Sequence, residues 1–403
     1  MAKKIYAGQS FLWQWLFTFW VLYCLICPFH IELYAAWETG YTHRKQFTVQ
    51  GTNLDANVTH FPLCMNLTDA DVDDNCDDDG SGSWDLMWTQ SDGTTDLDID
   101  WEDYAESGGN ALIKAWVSQA TWVLNADGST TGYMYYENAG AGDPGTSIGV
   151  WDANSIAIWH LNESGDGTAD EFVDSSGNAH HGQGGAGTAA YTPTQTGSGK
   201  VYNGQDFDGT DDVIYFAEII FTGAHTFSYW MYADDFAAIM TLWGERTGVT
   251  TSRIQLLDAD TVYYRANGNG KTFDPGVTFT SAMEHIAVVR DGSNIVTVYR
   301  NGVAGGTTGT RAGDMEISEL GRTSGAAGGE AFSGILDEAR LADTNRSAAW
   351  IKFEYYNANE ADCELTWGSE ESASVSFIPK IIIITGGYVL PGFIFAWGRR
   401  KKK

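Results

Sequence analysis

The feature that most constrains this chain is something its apolar residues almost never do, which is recur at the three- and four-residue spacing of an amphipathic helix. Between residues 37 and 376 they fall in short runs: RKQFTVQ at 44–50, FPLCMNL at 61–67, LIKAWVS at 112–118 and GYMYYEN at 132–138. SIAIWHL at 155–161, TFSYWMY at 226–232, HIAVVRD at 285–291 and NIVTVYR at 294–300 continue the series. Gly, Asp and Asn punctuate these runs. Strands at this spacing with turn signals between them predict all-β sandwiches. In the last run Val296 and Val298 point to one face and Ile295, Thr297 and Tyr299 to the other. Both faces are partly apolar, as stacked sheets require. A short helix is expected at 346–356, with Asn345 as N-cap and Trp350, Phe353 and Tyr356 near one face.

The two ends of the chain read differently. Lys3 and Lys4 precede an almost wholly apolar stretch, Phe11–Cys27, so residues 1–36 are read as a secretory signal or N-terminal anchor. Residues 377–398 are apolar apart from Lys380, and 399–403 are all basic. About 20 apolar residues cross a bilayer, and flanking Lys and Arg stay on the cytoplasmic side. These signals predict a C-terminal transmembrane helix and an exported middle region, on a cell or virion surface. From Trp37 to Ser376 there are 15 Lys and Arg against 52 Asp and Glu, a net −37. A surface so acidic repels phosphate backbones, which excludes sequence-independent nucleic-acid binding.

Cys24 and Cys27 lie in the N-terminal apolar run. Of the others, a Cys64–Cys76 disulfide suits an exported protein and leaves Cys363 over. The Gly-rich stretch 139–149 divides the exported region into units at 37–148 and 149–367. Residues 368–376, short, polar and acidic, are read as a stalk.

Each unit carries a resemblance. Trp37, Tyr41-Thr42-His43-Arg44-Lys45, Phe61-Pro62-Leu63, Trp84–Thr89, Ala115-Trp116-Val117 and Tyr133–Tyr136 with Asn138 resemble, in that order, the domain of unknown function 2341 found in surface proteins. That resemblance implies a β-sandwich but no settled activity. The second unit is similar to the concanavalin A-like lectin/glucanase sandwiches of the laminin-G-like group. The likeness runs through Ile158–Glu163, Asp174–Asn178, Phe207-Asp208-Gly209, Phe227–Met231, His285–Arg290, Val298–Gly302, Leu320-Gly321-Arg322 and Phe332–Arg340. Together they imply two β-sandwich (jelly-roll) domains in tandem.

Several groupings carry chemistry. Asp98, Asp100 and Glu102 alternate onto one strand face. Retaining glycosidases set a nucleophile and an acid/base about 5 Å apart, so these carboxylates are the candidates for a glycoside hydrolase. Against that stand their location in the first unit and an Asp at the first position, where the glucanase motif has Glu. For Ca²⁺ the laminin-G resemblance implies Asp174 and Asn178 of one loop together with Asp337, and Asp208 and Asp211 are lesser candidates. Asn75, Asp77, Asp79 and Gly80 have EF-hand spacing, but Leu86 stands where the closing Glu belongs. His180-His181 is a weaker pair of metal ligands, since adjacent strand residues face opposite ways. Gly145–Gly149 spells a nucleophile-elbow pattern inside a linker, and Gly270-Lys271-Thr272 has only the end of a phosphate loop. Trp230, Tyr232, Trp243, Tyr263 and Tyr264 are the aromatics available to a sugar. The reading is a non-enzymatic surface protein that binds a glycan or a protein partner, with a structural surface-layer role as alternative and a glycosidase as distant alternative.

Overall fold

The computed structural model of the protein describes residues 36–73, 85–138, 140–141, 148–246, 252–276, 278–323 and 330–373. The apolar stretches at either end, Cys76 and the loop with EF-hand spacing lie outside these residues. No helix among the described residues is long and apolar enough to cross a membrane.

The first unit contains β1 (His43–Val49), β2 (Val58–Thr59), β3 (Leu63–Asp69), α1 (Ala70–Asp73), β4 (Met87–Gln90) and β5 (Asp98–Glu106). It continues with β6 (Ala111–Ser118), β7 (Val123–Leu124) and β8 (Thr131–Tyr136). The second unit opens with β9 (Ser155–Trp159), β10 (Gln183–Gly184), β11 (Thr194–Thr196), β12 (Gly204–Asp208) and β13 (Ile214–Phe221). β14 (His225–Ala233), β15 (Met240–Gly244), β16 (Arg253–Asp258), β17 (Thr261–Ala266) and β18 (Asn269–Phe273) follow. The described residues continue with β19 (Glu284–Arg290), β20 (Ile295–Arg300), β21 (Val303–Thr310), β22 (Met315–Leu320), β23 (Ser333–Ala342), α2 (Ala348–Asn359) and β24 (Leu365–Ser372).

In the second unit a seven-stranded sheet, β10-β13-β22-β15-β16-β17-β18, faces a sheet ordered β11-β12-β23-β14-β19-β20-β21, with β9 also paired to β23. Alternation fills the space between them. Val296 and Val298 are fully buried while Ile295 is 39% exposed, as the period of two requires. Trp243, Phe227, Tyr229 and Trp159 occupy the centre. In the first unit, sheets β24-β1-β8-β4 and β3-β6-β5 enclose a second core around Trp88, Phe47 and Met134.

Three sequence expectations need correction. Residues 365–372 are neither the end of the second unit nor the start of a stalk, but an edge strand antiparallel to β1, with Val49 opposite Leu365 and Phe47 opposite Trp367. Leu365 reaches the first core and Trp367 packs against it, while the polar residues that disguised the strand are held by neighbours. The Tyr136 hydroxyl donates to Glu370 (2.8 Å) and Arg44 Nε to Glu371 (2.8 Å). The helix is capped by Ser347, which accepts the Trp350 N–H, rather than by Asn345. Cys64 is a free thiol whose Sγ lies 3.6 Å from the Sγ of Cys363, both of them buried.

Helix α2 is the wedge between the units. Ile351 packs on Ala287 and Val289, on the outer face of the second sheet of the second unit. Phe353 and Trp350 meet Phe61 of the first unit, with ring centroids 5.1 and 4.8 Å apart. Buried Asn357 completes the fastening: its carbonyl accepts the Cys64 N–H (2.8 Å) and its amide donates to the Cys363 carbonyl (2.6 Å). One core cluster therefore contains Phe353, Cys363 and Leu365 beside the first unit's own residues.

Burial makes Cys64 and Cys363 inert in the native protein. Alkylating reagent should label neither until the protein is denatured, and both afterwards without reductant. Mass spectrometry that finds Cys64 still protected in denaturant would restore a disulfide partner for it.

Candidate functional site

The junction between the units is built by a break in strand alternation. In β23, Leu336, Ala339 and Leu341 all enter the second core. The three-residue step from 336 to 339 leaves both Asp337 and Glu338 off that core, where a regular strand would leave one. The register against β14 shifts between Ser228 and Trp230, and Glu338 has a φ of 51°. A bulge re-aims side chains in this way, and here it turns Glu338 and Arg340 toward the first unit. From the other side, Ile99 of β5 enters the first core while Asp100 and Glu102 point away from it, into the same gap. His160, one residue past β9, stands between them.

The imidazole is the hub. Nδ1 lies 2.5 Å from Glu102 Oε1 and 2.9 Å from Glu338 Oε1, and Nε2 lies 3.1 Å from Asp100 Oδ2. Indole N–H groups supply the next contacts: Trp151 donates to Asp100 (2.7 Å) and Trp116 to Glu102 (2.9 Å). Asn162 donates to the other oxygen of Glu102 (2.8 Å). Arg340 donates to Glu338 (2.6 Å) and to Glu354 of α2 (3.3 Å), which also accepts the Ser228 hydroxyl (2.9 Å). The Arg340 guanidinium lies over Trp116, 4.1 Å from its ring centroid, and 4.9 Å from that of Trp151. Side-chain exposure is 7% for His160, 1% for Glu102 and 2% for Glu338.

Burial opposes every charge in this group, so the signs of the pKa shifts reveal which charges survive. For His160, burial is outweighed by the Glu102, Glu338 and Asp100 carboxylates, which raise its pKa well above the usual value. Glu338, despite burial, is pulled down to about 2 by His160 and Arg340. Burial lifts Glu102, and Glu338 lifts it further against the opposing His160. Burial, Glu338 and Glu102 raise Asp337 well above its usual value. The shifts favour the charged forms of His160, Arg340 and Glu338, and disfavour the charged forms of Glu102 and Asp337.

Such a network can latch two domains together. It is poorly placed for glycoside hydrolysis, because Asp100 and Glu102 face packed protein and the Asp98 carboxylate abuts Gly149. A recess beside Arg340, bounded by Trp151, Trp350, Arg346 and Glu354, has an empty volume of about 310 Å³ counted out to its mouth. Its enclosed part has room for about one water molecule, far too little for a sugar ring. Glu102, His160 and Glu338 have ligand atoms within 4.8 Å of one another, so a metal ion there would compete with the proton that these carboxylates favour on the ring.

Two of the expected Ca²⁺ ligands, Asp174 and Asp337, already accept backbone N–H groups. Asp174 accepts the N–H groups of Ile158, Ser176 and His180 and the Ser176 hydroxyl, so it shapes its own loop. Asn178 donates to the carbonyls of Ser155 and Ile156. Asp337 accepts the N–H groups of Lys200, Val201 and Glu338. The Asp174 N–H donates to His181 Nδ1 (2.9 Å), a bond within the turn. By contrast Asp208, Asp211 and Asp212 have ligand oxygens within 4.8 Å of one another, and burial with Asp208 and Asp211 lifts Asp212 to about 6. Among the aromatics, Trp230, Trp243 and Tyr264 are core residues, which leaves Tyr232 and Tyr263 partly exposed. Sequence reading missed His160, Glu338 and Arg340 as a group. The available signal was their charge inside the runs SIAIWHL and ILDEARL.

Residues 208–352 match the family described as the concanavalin A-like lectin/glucanases superfamily. No curated protein matches the chain significantly in sequence. Among solved structures, domain 4 of the arabinanase AbnA of Geobacillus stearothermophilus, in complex with arabinotriose, is 17% identical, with a TM-score of 0.41. The likeness covers 50% of this chain and 98% of that one. The botulinum neurotoxin serotype D binding domain is 10% identical over 50% of each chain, with a TM-score of 0.37. A pentraxin of Limulus polyphemus is 14% identical over 36% of this chain and 77% of its own, with a TM-score of 0.30.

Since His160 is raised above its usual value near 6.5, its contribution to stability is complete below that pH and is lost as pH rises through the folded-state value. His160→Gln should cost about 3–5 kcal/mol, as breaking a buried ion pair does, and flatten the alkaline side of the Tm–pH curve. Parallel curves for wild type and variant would show that the ring carries no charge.

Proposed function

We propose that this is an exported surface protein whose second sandwich binds a glycan or a protein partner, held to the membrane through residues 377–398. What carries the binding reading is the match of residues 208–352 to the concanavalin A-like lectin/glucanases superfamily. Export and anchoring rest on the apolar segments 1–36 and 377–398, with the basic tail setting orientation. Membership of the first unit in the domain family of unknown function 2341 belongs to the same proposal. Here that unit serves as a base that covers one sheet of the second sandwich through α2 and the His160 network. Hydrolysis by Asp98, Asp100 and Glu102 is not part of it, because Asp100 and Glu102 are buried against packed protein among the described residues.

A structural Ca²⁺ is part of the proposal. Asp174 and Asp337 already accept backbone N–H groups, as do Asp208 and Asp212, while Asp208, Asp211 and Asp212 are in addition positioned together and mutually repelled. Asp212 is raised, so its effect is absent at acid pH and becomes a cost as pH rises through about 6. At pH 7.5, Ca²⁺ should raise Tm, while Asp212→Asn should melt higher than wild type without Ca²⁺ and respond less to it. A wild-type Tm indifferent to Ca²⁺ and EDTA would remove the ion from the proposal.

The full-length protein, solubilised in detergent, should bind members of a glycan array, and EDTA should weaken that binding if Ca²⁺ organises the site. A folded protein that binds no glycan in either buffer would move the reading to a protein partner or a structural surface layer.

A further inference from the structure

The second sheet of the second unit is covered by α2 and the first unit, and on the outer face of the seven-stranded sheet Thr241 and Gln255 are buried beside Glu330, while Arg253, Tyr263 and Arg265 stay partly exposed. Ile254 and Leu256 of β16 and Val262, Tyr264 and Ala266 of β17 all enter the core. Alternation therefore puts Arg253, Tyr263 and Arg265 on the outer face. Arg253 and Arg265 are directly paired across the two strands, where like charges destabilise a sheet. Neither forms an ion pair within 4.0 Å among the described residues. The Nε of each is shut off from water and has no acceptor. Glu319, the acid in the same cross-strand row, is separated from Arg253 by Gly244. The preceding segment 247–251, TGVTT, contains no carboxylate.

This is an odd arrangement in a region with 52 acidic and 15 basic residues. Other cations, Arg246 and Arg322 among them, also lack an ion pair among the described residues, but Arg253 and Arg265 in addition face each other directly across paired strands. Beside them Tyr263 has its ring centroid 5.5 Å from the Arg253 guanidinium carbon. Its hydroxyl lies 2.0 Å from where a Cβ on Gly270 would sit, so the ring lies across the β18 backbone where only glycine fits. A paired guanidinium fork matches a carboxylate or sulfate, and a ring laid along the sheet offers a sugar its flat side.

We infer that Arg253 and Arg265 hold the carboxylate or sulfate of an acidic glycan, with Tyr263 against its sugar ring. The inference rests on the glycan reading above and makes it specific to anionic sugars and to the outer face of β16 and β17.

The test is an array of neutral, carboxylated and sulfated glycans probed with full-length protein, alongside Tm in sodium sulfate at constant ionic strength. Acidic glycans should be retained. Arg253→Gln and Arg265→Gln should each weaken them about tenfold or more, the worth of a charged hydrogen bond, with Tm unchanged or raised because the repulsion is gone. Tyr263→Ala should weaken the glycan but leave the sulfate effect on Tm. The carboxylated and sulfated arms decide which anion is preferred. Neutral glycans bound equally by wild type and both arginine variants would overturn the inference and leave the glycan reading intact. A sulfate effect that needs both arginines, with no glycan bound, would overturn the sugar assignment and the glycan reading while leaving an oxyanion site. Indifference to every acidic glycan and to sulfate would overturn the inference outright.

Discussion

The architecture depends on placing one positive ring among buried carboxylates. Without His160, Asp100, Glu102 and Glu338 would have Arg340 as their nearby cation, and Arg340 is shared with Glu354. Burying that excess of negative charge would cost several kcal/mol per group. The protein meets the problem with a proton on the imidazole, raised pKa values at Glu102 and Asp337, and indole N–H groups from Trp116 and Trp151. The apolar wedge of α2 adds area to the contact, whereas the ionic group fixes its orientation, since every distance in it constrains how β5 meets β23.

The strands were legible because their signal is local. Each of the eight apolar runs read from the sequence contains a strand, and the burial of Val296 and Val298 follows the alternation. What escaped was whatever depends on partners remote in the chain. Leu365–Ser372 looks like a polar tail until Arg44 and Tyr136 are placed beside Glu371 and Glu370. Asp174 on its loop and Asp337 on β23 read as cation ligands from their residue type alone, and the backbone amides each of them accepts come from segments the sequence does not place beside them. Asp98, Asp100 and Glu102 alternate as a catalytic strand would, and alternation cannot reveal whether the face they share meets solvent or another domain.

The same contrast separates the two functional readings of the aromatic residues. Trp230 and Trp243 have the composition of a sugar site and the location of a core. Tyr263, less conspicuous in the sequence, is the one whose ring lies over a glycine at the surface of the open sheet.

The pairing of β24 with β1 has a consequence for biogenesis. The edge of β1 opposite β8 has its partner some 320 residues further along the chain. During synthesis from the N-terminus, that edge must wait until the whole second sandwich and α2 have been made. An unpaired edge strand is an invitation to wrong partners, and the delay here is as long as the chain allows. The two sandwiches are therefore not independent folding events, because the first is completed by a strand that emerges only after the whole of the second.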